Sequence, residues 1–147
     1  MLKANLSIED EFPKQPLQDS LAVVNDLISK GIKVGIVTSS THALAAKDLA
    51  KWGFPVDDFF LIQGSDTVSA HKPDPAVFNK AIAILAADNI QKNEILYIGD
   101  ALMDYFAARD AGIDFLGVTT GLVDNKAFNA TGALSYQSLT HALSQNI

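Results

Sequence analysis

The sequence predicts an α/β fold: a mostly parallel sheet with helices packed on both faces, three layers in all. Three observations carry this. Short apolar runs alternate with amphipathic segments along nearly the whole chain, as in strand–helix units joined by right-handed crossovers. The runs Ile32–Val37, Phe59–Ile62 and Ile95–Ile98 are largely unbroken by polar residues, as expected for strands covered on both faces. The amphipathic segments end on glycines, Gly31, Gly53 and Gly112, where a helix is closed by a residue free to take the left-handed conformation.

Taken in order, residues 1–13 are polar, although Leu2, Ala4, Leu6 and Ile8 alternate. They read as a short strand or as the remnant of an element that precedes them. Pro13 and Pro16 punctuate the entry to a first helix. Its positions Leu17, Leu21, Val24, Leu27 and Ile28 fall on one face. A strand over Ile32–Val37 runs into the hydroxyl cluster Thr38-Ser39-Ser40-Thr41, and a helix follows over 41–52. Phe59–Ile62 is a third strand, and Gln63–Ala70 a polar loop. Pro75 suits the first turn of a helix over 75–87, whose apolar face is Val77, Phe78, Ala81, Ile82 and Leu85. A strand over 95–99 leads to a helix over 101–111, then a strand over Phe115–Thr119. A short helix near 124–130, a brief strand near Ala133–Tyr136 and a helix near 138–145 complete the pattern.

The bulk composition sets limits. At 147 residues the chain is expected to form one domain, 1–147. With 48% hydrophobic and 19% charged residues it has ample material for a core. A formal charge of −6 and a pI near 4.8 exclude nucleic acid or an anionic membrane surface as the main partner. A small phosphorylated molecule in a locally positive pocket remains open. The absence of cysteine removes disulfides and thiolate chemistry. No apolar run has signal-peptide or membrane-spanning length, so the expected location is cytoplasmic.

The chemistry-bearing residues gather at strand ends. Ile95-Leu96-Tyr97-Ile98 runs straight into Gly99-Asp100, and Asp104 follows one helical turn later. Both acids therefore face the carboxyl edge of the sheet, where open α/β sheets bind ligands. Two readings stay open for them. Paired carboxylates can hold a hard cation such as Mg²⁺, or they can simply cap and solvate a helix N-terminus. Thr38 and Ser39 bring hydroxyls and backbone N–H groups to the same edge. Lys72, fixed between neighbouring prolines in Lys72-Pro73-Asp74-Pro75, offers a positive point charge to phosphate oxygens. Thr119-Thr120-Gly121 ends a further strand there. Thr38, Ser39 and Lys72 are thus the candidate phosphate-binding residues, and Asp100 and Asp104 the candidate metal ligands. Taken singly, a Thr-Ser-Ser turn is an ordinary helix cap and a lone lysine an ordinary solvated one. Their order and spacing together form the signal.

That combination resembles the haloacid dehalogenase-like superfamily of Mg²⁺-dependent phosphohydrolases, of the phosphoglycolate phosphatase and β-phosphoglucomutase type. The second motif of that family, an apolar strand ending in Thr or Ser, is matched by Ile32–Val37 with Thr38. The third, Lys before Pro-x-Pro, is matched by Lys72–Pro75. The fourth, Gly-Asp-x-x-x-Asp, is matched by Gly99-Asp100 and Asp104, and Ala107–Gly112 is also typical. The resemblance spans about residues 13–145. It implies a three-layer Rossmann-like core and chemistry on small phosphorylated metabolites.

The first motif, a strand ending in Asp-x-Asp-Gly-Thr, has no match. In the family its first Asp is the nucleophile and its second the general acid/base. Ile8-Glu9-Asp10-Glu11 is acidic but holds no Asp-x-Asp, and Asp57-Asp58 precedes its strand. No catalytic residue is therefore assigned, and the resemblance implies a phosphatase that is inactive or impaired as the chain stands, with weak Mg²⁺ binding. The alternatives are a non-enzymatic binding module and one part of a split phosphatase completed by another chain. An unrelated flavodoxin-like domain fits poorly, because its acids or glycine loops follow different strands. The cap that selects substrate in the family is also missing, which leaves the substrate open. The central sheet position of the first strand then needs an occupant. Its neighbours close up, Leu2–Ile8 fills the slot, or a second chain (a homodimer or a complementing polypeptide) donates a strand. His42, His141 and Arg109 read as surface residues. His71 lies beside Lys72 and within reach of a phosphate.

Overall fold

The computed structural model describes residues 3–6, 20–119 and 123–146. Six parallel strands form one sheet in the order β3-β2-β1-β4-β5-β6. They are β1 (Lys3–Leu6), β2 (Gly35–Val37), β3 (Leu61–Gln63), β4 (Ile95–Gly99), β5 (Asp114–Val118) and β6 (Ser135–Tyr136). Among the described residues six α-helices accompany them: α1 (Ser20–Ser29), α2 (His42–Lys51), α3 (Asn79–Ala87), α4 (Leu102–Ala111), α5 (Asn125–Thr131) and α6 (Leu139–Asn146).

The central slot, expected to lack its usual strand, is filled from within. β1 pairs with β4 through Lys3↔Ile95, Ala4↔Leu96, Asn5↔Tyr97 and Leu6↔Ile98, and with β2 through Leu6↔Ile36. β2 and β4 therefore do not close on each other. Backbone groups in the middle of a covered sheet must be paired, and the alternating N-terminal segment supplies the partners. Residues 7–19, including the acidic Glu9, Asp10 and Glu11, lie outside the described residues.

Strand alternation divides the core in two. From β4, Leu96 and Ile98 face one cluster, with Val34 and Ile36 of the second strand region, Val24 and Leu27 of α1, and Leu139 and Leu143 of α6. Ile95 and Tyr97 face the other, with Phe78, Leu85 and the small residues Ala107, Ala108 and Ala111 of α4. Those three alanines, all buried, let α4 lie close to the sheet. Phe78 meets Tyr97 edge-on at 4.6 Å between ring centroids, a favourable aromatic geometry. α4 ends at Gly112, whose φ of 81° an L side chain rarely adopts.

Boundaries differ from the sequence reading in two informative places. The helix expected over 75–87 opens with a 3₁₀ turn, Pro75–Phe78, before α3 begins. Asp74 caps that turn by accepting from the Ala76 N–H at 2.9 Å. The third strand is Leu61–Gln63 rather than Phe59–Ile62. Gln63 is consequently not a loop residue but the buried end of β3.

Candidate functional site

All parallel strands end along one edge, and the loops beyond β2, β3 and β4 converge there. At the end of β2 the backbone stays in the ladder for one more bond, from Thr38 N–H to the Gln63 carbonyl at 3.0 Å. It then turns. The Thr38 side-chain oxygen accepts from Ser40 N–H at 3.1 Å, a local turn that hydroxyl residues favour. Its own hydroxyl hydrogen is left to donate. Ser39 at the crest is exposed, and Thr41 caps α2 by accepting from Leu44 N–H. The loop after β3 docks onto that corner. His42 N–H donates to Asp66 at 2.8 Å, and the His42 ring Nδ1 donates to the Ile62 carbonyl at 2.9 Å. Ser65 N–H donates to the Ser40 carbonyl at 2.7 Å. Gly64 sits so close to the His42 backbone that a side chain would collide with it.

Lys72 arrives from this loop and is drawn inward. Its Nζ lies 2.6 Å from Asp104 Oδ1 and 3.2 Å from the Tyr97 hydroxyl, with the two ionised side chains only 7% and 1% exposed. The same hydroxyl is 3.2 Å from the Val37 carbonyl, to which it donates. A buried lysine needs a counter-charge and hydrogen-bond acceptors, and two residues of the β4–α4 unit supply them. Asp104 is the third residue of α4, so its carboxylate turns back to accept from Ala101 N–H at 3.0 Å, a helix-start pairing. Gly99 makes room: a Cβ there would lie 2.6 Å from Asp104 Cγ.

Thr38, Ser39, Gln63, His71, Lys72 and Val77 line a common pocket of about 260 Å³. The structure thus brings Thr38, Ser39 and Lys72 together. Asp100 sits half-buried at the end of β4. Thr119 is drawn away to β6, donating its backbone N–H to the Tyr136 carbonyl at 2.8 Å. Thr120 and Gly121 lie outside the described residues.

Asp104, expected with Asp100 as a metal ligand, is also a hydrogen-bond acceptor within the fold. Both oxygens of Asp104 are already engaged, one by Lys72 and one by Ala101 N–H. Among the described residues no three His, Cys, Asp or Glu side chains gather where they could hold a metal ion. A cation such as Mg²⁺ is commonly held by one or two carboxylates together with waters and phosphate oxygens, and Asp100 and Asp104 are the residues here that would hold it.

Two site residues were not legible as such. Tyr97 is hidden in an apolar strand, yet its hydroxyl links Lys72, Asp104 and Val37. Gln63 falls in what reads as a polar loop. Strand register is the signal that finds both, since Tyr97 shares the α4 face of its strand with Ile95 and Gln63 ends β3 beside Val37. The remaining candidates are peripheral. Arg109 pairs with Asp110 at 2.8 Å on the surface and lies over the Tyr105 and Phe106 rings. His42 is exposed but bonded, as above. His141 stacks obliquely on Tyr136, with ring centroids 5.4 Å apart.

The model of the haloacid dehalogenase-like hydrolase family matches residues 5–118. The chain belongs to this family. Phosphoglycolate phosphatase of Neisseria gonorrhoeae is 34% identical over 110 residues, which cover 75% of this chain and 45% of that protein. The chain spans about half the length of the curated relatives it matches. Among solved structures, a candidate haloacid dehalogenase-like hydrolase from Bacteroides fragilis superposes with a TM-score of 0.77 at 32% identity, covering 86% of this chain and 59% of the other. The core domain of a candidate phosphoglycolate phosphatase from Streptococcus pneumoniae shares the fold at a TM-score of 0.71 and 19% identity, covering 99% and 95%. The haloacid dehalogenase-like fold is thus shared by a structure of nearly the same extent. No helix among the described residues is long and apolar enough to cross a membrane.

Proposed function

We propose that this chain is the phosphoryl-binding core of a haloacid dehalogenase-like phosphatase acting on small phosphorylated metabolites, and that hydrolysis is lost or severely reduced in the chain as it stands. The observation that carries the reading is Lys72, buried and held at 2.6 Å by Asp104 in the wall of a pocket shared with Thr38 and Ser39. A lysine fixed in this way is preorganised. It spends little on ordering itself when an anion arrives. Thr38 and Ser39 add hydroxyl and backbone donors suited to phosphate oxygens. Reduced turnover follows from the sequence, which contains no Asp-x-Asp, the pair that would supply nucleophile and acid/base. A weakly bound Mg²⁺ would be held by Asp100 and Asp104 and would neutralise phosphoryl charge, and no step is routed through it. The setting proposed is the cytoplasm.

The test is titration of the chain with an alkyl phosphate, followed by amide NMR, beside an assay of p-nitrophenyl phosphate turnover. Saturable shifts at Thr38–Thr41 and around Lys72, with no turnover, are expected. Absence of those shifts overturns the site. Turnover that Asp100→Asn abolishes overturns the loss of hydrolysis.

A further inference from the structure

Gln63 is 1% exposed, and its amide is oriented by one strong contact: Nε2 donates to the Val77 carbonyl at 2.8 Å. The reverse orientation would set two carbonyl oxygens against each other, so Oε1 is assigned to the other side. That oxygen is the one buried side-chain atom among the described residues with no hydrogen-bond partner. Native structures leave few such atoms, and each calls for an occupant. Gln63 also lines the pocket of Thr38, Ser39 and Lys72. No donor of the pocket wall lies within bonding distance of Oε1, the Thr38 hydroxyl included. The Lys72 ammonium is directed to Asp104 and Tyr97, and the Gln63 amide nitrogen to Val77.

We infer that Gln63 is a specificity-determining residue: its Oε1 accepts a hydrogen bond from a hydroxyl on the organic arm of a phosphate monoester held in this pocket. The inference rests on the phosphoryl-binding reading above and adds what the rest of the ligand must carry. A monoester dianion has only acceptor oxygens on phosphorus, since its second pKa is about 6. It cannot donate to Oε1 above that pH, so within the ligand the donor lies on the arm. A hydroxyl fits better than an ammonium, because Lys72 already places a positive charge on the same pocket wall. The volume of about 260 Å³ falls just below the roughly 300–1,000 Å³ of drug-sized sites, which suits a phosphate with a short polyol arm.

The experiment compares glycerol 3-phosphate with propyl phosphate at pH 8, by NMR titration of the whole chain and of Gln63→Met. The wild-type chain is expected to bind the glycerol ester about tenfold more tightly, the worth of one neutral hydrogen bond. Gln63→Met should erase that ratio. The Gln63 side-chain amide signals of the wild-type protein give a readout that needs no variant. They should shift with glycerol 3-phosphate and stay still with propyl phosphate. Equal wild-type affinities for the two esters, a ratio that survives in Gln63→Met, or amide signals that respond equally to both would overturn the inference. Failure of both esters to bind would instead remove the phosphoryl site itself.

Discussion

Asp104→Asn isolates the charge that holds the site together. The amide is nearly isosteric, and its oxygen can still accept from Ala101 N–H, so the helix-start bond at 3.0 Å survives. What is lost is the negative partner of a lysine only 7% exposed. Breaking a buried pair in this way costs about 3–5 kcal/mol, because the remaining ion is left uncompensated in a poorly solvated place. An independent ceiling comes from letting a lysine give up its proton. From an ordinary pKa of about 10.4 down to pH 7, that costs about 4.6 kcal/mol. The two routes agree. At roughly 2–4 °C per kcal/mol for a chain of this size class, the melting point should fall by about 10 °C. Urea unfolding followed by circular dichroism gives the free energy directly, with an unchanged slope as the check on two-state behaviour. Lys72→Met should be similarly destabilised, since it strands the carboxylate. The double variant should recover at least about 2 kcal/mol relative to the sum of the singles. A cost below about 1 kcal/mol for Asp104→Asn, or simple additivity, would refute the view of this pair as a buried, mutually dependent unit.

Two further outcomes follow from neighbouring geometry. Gly99→Ala places a Cβ 2.7 Å from the Asp104 Cβ. It should cost about 1–3 kcal/mol by overpacking, read as a lower urea midpoint, whereas an unchanged midpoint would show that α4 can shift freely. On the surface, the hydrogen bond from Arg109 holds the Asp110 carboxyl below its ordinary value. Its small contribution is therefore present above the unfolded carboxylate pKa and is lost as pH falls through the lower folded one. In an NMR titration, Arg109→Gln should move the Asp110 midpoint upward, and a midpoint that stays put would dismiss the pairing.

The sheet and its carboxyl edge were legible because buried parallel strands are continuous apolar runs and their helices carry glycine stops. Ile95–Gly99 and Gly112 illustrate both. Lys72 and Asp104 could each be singled out from spacing. That they pair with one another could not, because the contact depends on how deeply the loop after β3 folds inward. Tyr97 escaped for a related reason. In a covered strand a tyrosine reads as bulk, and the position of its hydroxyl is decided by packing against Phe78 and α4. Gln63 reads as a loop residue because propensity penalises a polar strand end. Register with Val37 and the Val77 carbonyl outweigh that penalty. The occupant of the central slot was narrowed to three solutions by the demand for backbone pairing, and only the three-dimensional arrangement chose among them.

The placement of β1 has a kinetic consequence. Its strand pairing joins Leu6 to Ile98, across most of the sequence, so the middle of the sheet is its least local contact. Closing a loop of that length must be paid in chain entropy before any ladder bond rewards it. The β1–β2, β2–β3 and β4–β5 pairs, joined by shorter connections, can form earlier as two half-sheets. Until β1 meets β4, each half presents an open inner edge, and those two edges are where association with another chain would compete.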